Sequence, residues 1–117
     1  MHILFIVLND LSFLDQILAK FLDVKVRGAT IIDSQGMAAA IMQNEGMMGL
    51  RSGPFSRSLE NDQKESKTIF TVIPEEEKVH EVVREIQSIF EHSKKQVIGF
   101  MFTMPVSGIY PFKPKIY

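Results

Sequence analysis

The sequence predicts an α+β domain of the ferredoxin-like type, with the order β-α-β-β-α-β and two helices on one face of a four-stranded antiparallel sheet. Two observations carry this prediction. Four short apolar runs, rich in branched and aromatic residues, have the length and composition of strands. Two amphipathic segments join the first run to the second and the third run to the fourth. We therefore expect residues 1–117 to form a single domain.

The first half of the chain contains two predicted strands on either side of one predicted helix. Residues 3–8 form a continuous apolar run, which is typical of a buried strand. Ser12 and Asp15 have the spacing of a capping box, so we expect a helix over residues 12–23. Residues 26–33 complete this half as the second strand.

The second half of the chain has the same order of elements. Residues 68–73, Thr-Ile-Phe-Thr-Val-Ile, are all branched or aromatic and form the third predicted strand. Pro74 suits the first position of a helix, and the glutamates that follow it suit the positive end of the helix dipole. We expect this helix over residues 75–92 and the fourth strand over residues 97–104. The proline-containing tail, residues 106–117, is predicted to be extended or irregular.

A long connection, residues 38–66, separates the two halves. Compact domains seldom keep a loop of this length, and those that do usually use it as a lid, a binding loop or a disordered segment. Its methionines suit adaptable contacts and its arginines suit carboxylate or phosphate groups. We interpret it as a docking loop for a protein partner, with a partly disordered insertion as the alternative. The residues that we expect to contact the partner are Met47, Met48, Arg51, Phe55 and Arg57.

Apolar residues occupy both faces of the first and fourth predicted strands. A sheet with one face in water should alternate apolar with polar residues, so the second face should also be covered. Because the two helices cover only one face, further copies of the chain are the favoured cover. The alternative is that the long connection and the tail fold back over it. A charge at the covered face, as in Phe5→Asp or Ile6→Asp, should dissociate or unfold the protein, but the sequence does not show which of the two residues lies there.

Composition and charge exclude several classes of protein. The net charge is −1, which gives no basic surface for duplex nucleic acid. The absence of cysteine excludes disulfides, thiol nucleophiles and thiolate metal ligands. The N-terminal apolar run lacks a cationic leader and a cleavage site, and no run has the length of a membrane span. We therefore expect a cytoplasmic protein that is not itself a membrane protein and binds no nucleic acid.

The side chains that could carry catalysis are scattered. The three histidines, His2, His80 and His92, have no metal-ligand spacing. Asp33 and Ser34 lack a histidine at a diagnostic position, so a turn at the end of a strand explains them better than hydrolytic chemistry. No phosphate-loop, dinucleotide-binding or zinc-protease motif is present. We expect no catalytic residue and no metal site.

Two stretches of the sequence carry a family resemblance. Residues 26–37, Val-Arg-Gly-Ala-Thr-Ile-Ile-Asp-Ser-Gln-Gly-Met, resemble a second strand that runs into a glycine at the base of a long loop. Residues 99–106, Gly-Phe-Met-Phe-Thr-Met-Pro-Val, resemble a last core strand and the Pro-Val pair that follows it. In this order and spacing, over most of residues 1–112, the chain resembles the PII-like family of small trimeric signalling proteins.

The resemblance implies a non-enzymatic cytoplasmic sensor. In that family three subunits form a homotrimer with their sheets inward, and small effectors, typically adenine nucleotides, bind in clefts between subunits. The long loop docks on a partner such as a membrane transporter, a metabolic enzyme or a regulator. The positions here that match the family's effector site are Gly36, Met37 and Gly99, with Lys113 as the cation that is carried over.

The chain departs from the family at positions where typical members bind a triphosphate. Ala38, Ala40 and Ile41 stand where those members have glycine, glutamine and lysine, and Phe100 stands where they have a further lysine. A triphosphate needs several cations and N–H groups that converge on it. We therefore expect a less charged effector, such as a small nucleotide or a carboxylate metabolite. The alternatives are a ligand-free scaffolding oligomer and a metal-binding ferredoxin-like trimer, and the absence of cysteine weighs against the latter.

Overall fold

The computed structural model describes residues 1–43, 65–95 and 98–114. Strands and helices alternate along these residues, and a short 3-10 helix precedes the first α-helix. The strands are β1 (His2–Leu8), β2 (Thr30–Ser34), β3 (Ser66–Ile73) and β4 (Gly99–Pro105). The helices are α1 (Leu14–Asp23), α2 (Met37–Gln43) and α3 (Glu76–Ile89), and the 3-10 helix is Leu11–Phe13.

The four strands form one antiparallel sheet in the order β2-β3-β1-β4, so β2 and β4 are its two edges. This is the predicted ferredoxin-like fold, with α1 between β1 and β2 and α3 between β3 and β4. Leu4 of β1 lies opposite Thr71 of β3 and Thr103 of β4. Residues that lie opposite each other point to the same face, so this register assigns every strand residue to a face.

One face of the sheet packs against α1 and α3 and forms the hydrophobic core. Leu4, Ile6 and Leu8 of β1 are buried on this face. The other buried members of the cluster are Ile17, Phe21, Val24, Ile69, Ile73, Val79, Val82 and Ile86. Burial of one such side chain stabilises the folded state by about 1.5–3 kcal/mol, so this face is the main source of stability.

Helix α1 ends in a backbone motif that turns the chain sharply. The Lys25 N–H donates to the carbonyl of Leu22 at 3.1 Å, and the Val26 N–H donates to the carbonyl of Phe21 at 2.8 Å. These are the two hydrogen bonds of a Schellman motif. Lys25 takes the left-handed position of this motif, with φ of 63°, where glycine is more usual.

The segment after this motif is not a strand. The carbonyl of Gly28 accepts a hydrogen bond from the side-chain hydroxyl of Thr71 instead of a ladder partner. The prediction of a strand over residues 26–33 is therefore wrong at its start, because β2 begins only at Thr30. A side-chain hydrogen bond to a distant residue decides this boundary, and periodicity does not reveal it.

The start of the first helical segment also differs from the prediction. The Asp10 side chain accepts hydrogen bonds from the Ser12 backbone N–H at 3.1 Å and from the Ser12 hydroxyl at 2.6 Å. Asp10 is thus the N-cap of the 3-10 helix, and the predicted capping box of Ser12 with Asp15 is wrong. The α-helix itself begins at Leu14.

The elements of the second half are confirmed with different ends. Strand β3 begins at Ser66, two residues before the predicted start, because β2 pairs with it from there. Helix α3 ends at Ile89 instead of residue 92 and has Glu75 as its N-cap. Strand β4 ends at Pro105 instead of residue 104, because Pro105 pairs with the start of β1.

The predicted connection over residues 38–66 is shorter than expected at both ends. Helix α2 takes up the chain as far as Gln43, and Ser66 belongs to β3. Residues 44–64 lie outside the described residues, and with them the expected docking residues Met47, Met48, Arg51, Phe55 and Arg57. The described part of the tail, residues 106–114, has no helix or strand, as predicted.

Substitution of Gly99 tests the contact between β4 and β1. Gly99 has φ of +152°, and a Cβ there would lie 2.2 Å from the carbonyl oxygen of Val7. We expect Gly99→Ala to lower the free energy of unfolding by about 2 kcal/mol or more, measured by urea denaturation. Gly28→Ala is the control, because a Cβ there meets no atom within 4 Å, and we expect a change within about 0.5 kcal/mol. Equal effects of the two substitutions would contradict this register.

Candidate functional site

The ends of β2 and β3 form a polar cavity at the base of the long connection. Ser34 lies opposite Ser66 in the register of the two strands, so the chain leaves and re-enters the sheet at one place. A cavity of about 430 Å³ opens there. We call it the loop-base cavity. The polar residues that line it are Asp33, Ser34, Gln35, Glu65, Ser66 and Lys67.

Hydroxyl groups and one ion pair organise this cavity. The Ser34 and Ser66 hydroxyls lie 2.8 Å apart, and the Thr68 hydroxyl donates to Ser34 at 3.0 Å. The Lys67 ammonium donates to the carboxylate of Asp33, which is largely exposed. By the register, the three hydroxyl groups lie on one face of the sheet and the Asp33–Lys67 pair lies on the other. The ion pair provides an ammonium whose exposed partner an anionic ligand could replace.

Gly36 and Met37 lie in the chain between Gln35 and Ala39, two residues that line this cavity. A Cβ at Gly36 would meet no atom within 4 Å, so the space above its backbone is open. Its carbonyl accepts the Ala40 N–H at 3.0 Å, and Met37 is an exposed side chain. The site residues Gly36 and Met37 stay predictions, and the structure places them at the end of the sheet where the long connection begins. The resemblance did not point to Lys67, whose pairing with Asp33 depends on the β2–β3 register.

Gly99 lies at the same end of the sheet but on the opposite edge. Strands β3 and β1 separate β2 from β4, so the two edges are roughly 14 Å apart at the usual strand spacing. The close approach of the Val7 carbonyl explains why glycine stands at this position without any ligand. One copy of the chain therefore does not bring Gly36 and Gly99 into one site.

Lys113 lies in the tail beyond the far end of β4. Because β4 runs from Gly99 to Pro105, the tail starts at the end of the strand that is remote from Gly99. Among the described residues, the Lys113 side chain takes part in no hydrogen bond or ion pair. Within one chain, the structure does not place Lys113 with the other expected site residues.

The turn before β4 is tied to the turn after β1. Lys95 donates to Asp10 Oδ2 at 2.7 Å and lies 5.3 Å from the centre of the Phe13 ring. The backbone N–H of Asp10 donates to the carbonyl of Ile98 at 3.1 Å. The hydrogen bond from Lys95, followed by those from Ser12, lowers the pKa of Asp10 from 3.8 to about 2. These contacts hold the backbone that leads to Gly99.

The second face of the sheet is apolar and has no cover among the described residues. The register places nine apolar side chains on it, and we call this surface the open face. Its members are Ile3, Phe5, Val7, Ile32, Phe70, Val72, Phe100, Phe102 and Met104. The rings of Phe5 and Phe102 stack with centroids 4.9 Å apart, and Phe100 remains 60% exposed. This assigns Phe5 to the open face and Ile6 to the core, which the sequence left undecided.

The described residues can also be examined for a metal-ligand cluster and for a membrane-spanning helix. Over residues 1–43, 65–95 and 98–114, no three His, Cys, Asp or Glu side chains come close enough to hold a metal ion. Over the same residues, no helix has the length and apolar character needed to cross a membrane.

Comparisons with known proteins identify a family and related solved structures. A model of the family described as nitrogen regulatory protein P-II matches residues 2–115. Among solved structures, the chain is similar to PII of Arabidopsis thaliana bound to citrate, with 16% identity and a TM-score of 0.58. That similarity covers 91% of this chain and 77% of the other, and at this identity it establishes the fold. No curated protein matches the chain.

The contact between Asp10 and Lys95 predicts a pH-dependent stability. Because the folded-state pKa of Asp10 is lowered, its contribution is present above about pH 4 and is lost as the pH falls towards about 2. We expect Asp10→Asn to destabilise the protein at neutral pH and to have a much smaller effect near pH 2, measured by urea denaturation. Asp23→Asn is the control, because Asp23 has no ion pair among the described residues. A loss that stays constant from neutral pH to pH 2 would contradict the assigned ion pair.

Proposed function

Because the chain belongs to the nitrogen regulatory protein P-II family, we propose that it is a non-enzymatic regulatory protein of the cytoplasm. In this proposal it binds a small effector in clefts between subunits and a protein partner through the long connection. The match of the family over residues 2–115 is the observation that carries the proposal. The position of the loop-base cavity supports it, because a ligand there would contact both ends of the connection.

The open face supports a homotrimer as the working assembly. Exposed apolar patches of this kind usually mark a protein contact, and closed symmetric oligomers are the common way to cover them. The family resemblance favours three copies with their sheets inward. A cleft that combines the β2 edge with the β4 edge would need two copies, because one chain keeps these edges apart.

The charges at the candidate site disfavour a nucleoside triphosphate, and the related structure supports a carboxylate effector. The loop-base cavity holds the ammonium of Lys67 together with the carboxylates of Asp33 and Glu65, which disfavour a highly charged phosphate chain. The Arabidopsis PII structure has citrate bound, which supports a carboxylate as the class of ligand. A small nucleotide such as a monophosphate is the second candidate, because Gly36 leaves open space beside the backbone.

The partner of this regulator is proposed to be a membrane transporter or a metabolic enzyme. The loop residues that would contact it, Met47 to Arg57 in the expectation above, lie outside the described residues. Helix α2 fixes the first part of the connection next to the cavity, which gives a bound effector a direct route to the loop.

The assembly can be tested with three matched charge substitutions. Wild type should have a solution mass about three times the 13.3 kDa of one chain, measured by light scattering after size exclusion. Phe102→Asp on the open face should dissociate the assembly, and Ile6→Asp in the core should unfold the chain. Leu22→Asp should change neither property, because Leu22 is 74% exposed on α1. A wild-type mass of one chain would rule out the proposed trimer.

Effector binding can be tested by thermal shift and calorimetry with citrate, AMP and ATP. A ligand that binds only the folded state raises the unfolding temperature by mass action. We expect a shift with citrate or AMP for wild type, and loss of that shift in Gly36→Val, whose side chain would fill the space beside the cavity. Gly28→Val is the matched control, because it also adds a side chain in open space but away from the cavity. Tighter binding of ATP would contradict the charge argument, and no binding of any of the three would favour a ligand-free scaffold.

A further inference from the structure

A second cavity lies at the end of the sheet that is remote from the loop base. It opens where the turn after α1, the end of β3 and the start of α3 meet, and its volume is about 500 Å³. Ser66 and Ile73 mark the two ends of β3, so roughly 20 Å of strand separates this cavity from the loop-base cavity. Three cations line it, Lys25, Arg27 and Lys78, and we call it the basic cavity.

The charges of these three cations are not neutralised by the described residues. None of the three takes part in an ion pair over residues 1–43, 65–95 and 98–114. In that part of the chain, Glu75 is the one acidic residue that lines the basic cavity. Glu77 and Glu81 line an adjoining depression together with the same cations, but they form no ion pair with them either. Three positive charges around one space, against one negative charge, attract a small anion that carries two charges.

The backbone at Lys25 gives an independent observation. Lys25 is held in the left-handed conformation with φ of 63°, which glycine adopts without strain and lysine does not. A favourable contact with the end of α1 does not explain a lysine here, because Lys20 already places a cation in the last turn of that helix. Backbone strain at an exposed, charged residue is typical of a side chain that is kept for a contact. The Lys25 ammonium is the charge that such a contact would use.

The rest of the basic cavity is largely apolar and open. Val26, Ile73 and Pro74 line it beside the cations. A Cβ at Gly28 would meet no atom within 4 Å, so a ligand can approach the backbone there. A volume of about 500 Å³ lies in the range of small-molecule sites and exceeds what a bare phosphate ion fills. The cavity therefore fits a ligand with an anionic head and a small apolar body.

We propose that the basic cavity binds a small phosphate monoester. The phosphate group carries nearly two negative charges at neutral pH, which matches the uncompensated charge of the cavity. The planar guanidinium of Arg27 can donate two parallel hydrogen bonds to phosphate oxygens, and the ammonium groups of Lys25 and Lys78 add point charges. The apolar body of the ester contacts Val26 and Pro74. One chain forms this site alone, and it is separate from the candidate effector site, so it does not depend on the proposed assembly.

Calorimetric titration of the full chain with phenyl phosphate, a monoester with a small apolar body, tests this site. We expect one site per chain, and binding at least fivefold weaker in Arg27→Gln and in Lys25→Gly. Arg84→Gln is the matched control, because it removes the same charge from an exposed residue of α3 that lines neither the basic cavity nor the adjoining depression, and we expect less than a twofold change. Lys25→Gly should also raise the midpoint of urea denaturation, because it relieves the left-handed strain. A purely structural role for Lys25 would change stability alone and leave binding unchanged.

Several results would overturn the proposal. No binding of phenyl phosphate would exclude the site, and equal weakening by Arg84→Gln would show non-specific attraction. Benzoate, which has the same ring and one charge, should bind at least fivefold more weakly, and equal affinity would exclude recognition of a dianion. Inorganic phosphate that binds as tightly as phenyl phosphate would exclude the contact with the apolar walls.

The test also separates this site from the candidate effector site. Binding of phenyl phosphate that is kept in Gly36→Val and weakened in Arg27→Gln supports the basic cavity. The reverse pattern would place the anion in the loop-base cavity, which overturns this proposal and supports the proposed effector site. The same pair of variants assigns AMP, itself a phosphate monoester, to one of the two cavities. If phenyl phosphate does not bind and citrate does, the proposed function stands and only the second site fails.

Discussion

The register of β1 between its two neighbours is the constraint on which the rest of the structure depends. It places the side chains of Leu4, Ile6 and Leu8 on the face that packs against the helices and the side chain of Phe5 on the open face. A slip of one residue would exchange these two sets, because side chains alternate along a strand. In most sheets such a slip would expose the apolar set and bury a polar one. Here both sets are apolar, so the contacts at the strand ends must select the register.

Those end contacts are specific and local. Gly99 admits the Val7 carbonyl at a distance that no other residue tolerates. The Ile98 carbonyl accepts the backbone N–H groups that follow β1, and Lys95 fixes the same turn through Asp10. The glycine that resembles a ligand-binding residue therefore has a packing role of its own. Its presence does not by itself argue for an effector at that position.

The fold could be predicted from the sequence because its main signals are periodic. Branched and aromatic runs identify the strands, and the apolar stripe of α3 identifies its buried side. The ends of elements depend on contacts that periodicity does not contain, as the hydrogen bond from Thr71 to Gly28 shows for β2. Helix α2 is different: its run of Ala38, Ala39 and Ala40 has high helix propensity, so the prediction of a loop from residue 38 misses a signal that the sequence contains.

The candidate site likewise contains residues that the sequence suggests and residue pairs that only the fold brings together. Gly36 is a prediction from its resemblance to a loop-base glycine, and in the structure it follows Gln35, which lines the loop-base cavity. The pairing of Asp33 with Lys67 and of Ser34 with Ser66 could not be found, because more than thirty residues separate the members of each pair. Only the β2–β3 register brings them together.

The two edges of the sheet have a consequence for regulation in the proposed assembly. Gly36 and Gly99 lie on opposite edges of one copy, so a cleft that uses both contains parts of two copies. An effector in such a cleft binds the assembled state and not the isolated chain, and it therefore stabilises assembly by mass action. The same linkage makes its apparent affinity depend on protein concentration wherever dissociation is measurable. Effector binding, burial of the open face between subunits and the conformation of the loop base would then be coupled to one another.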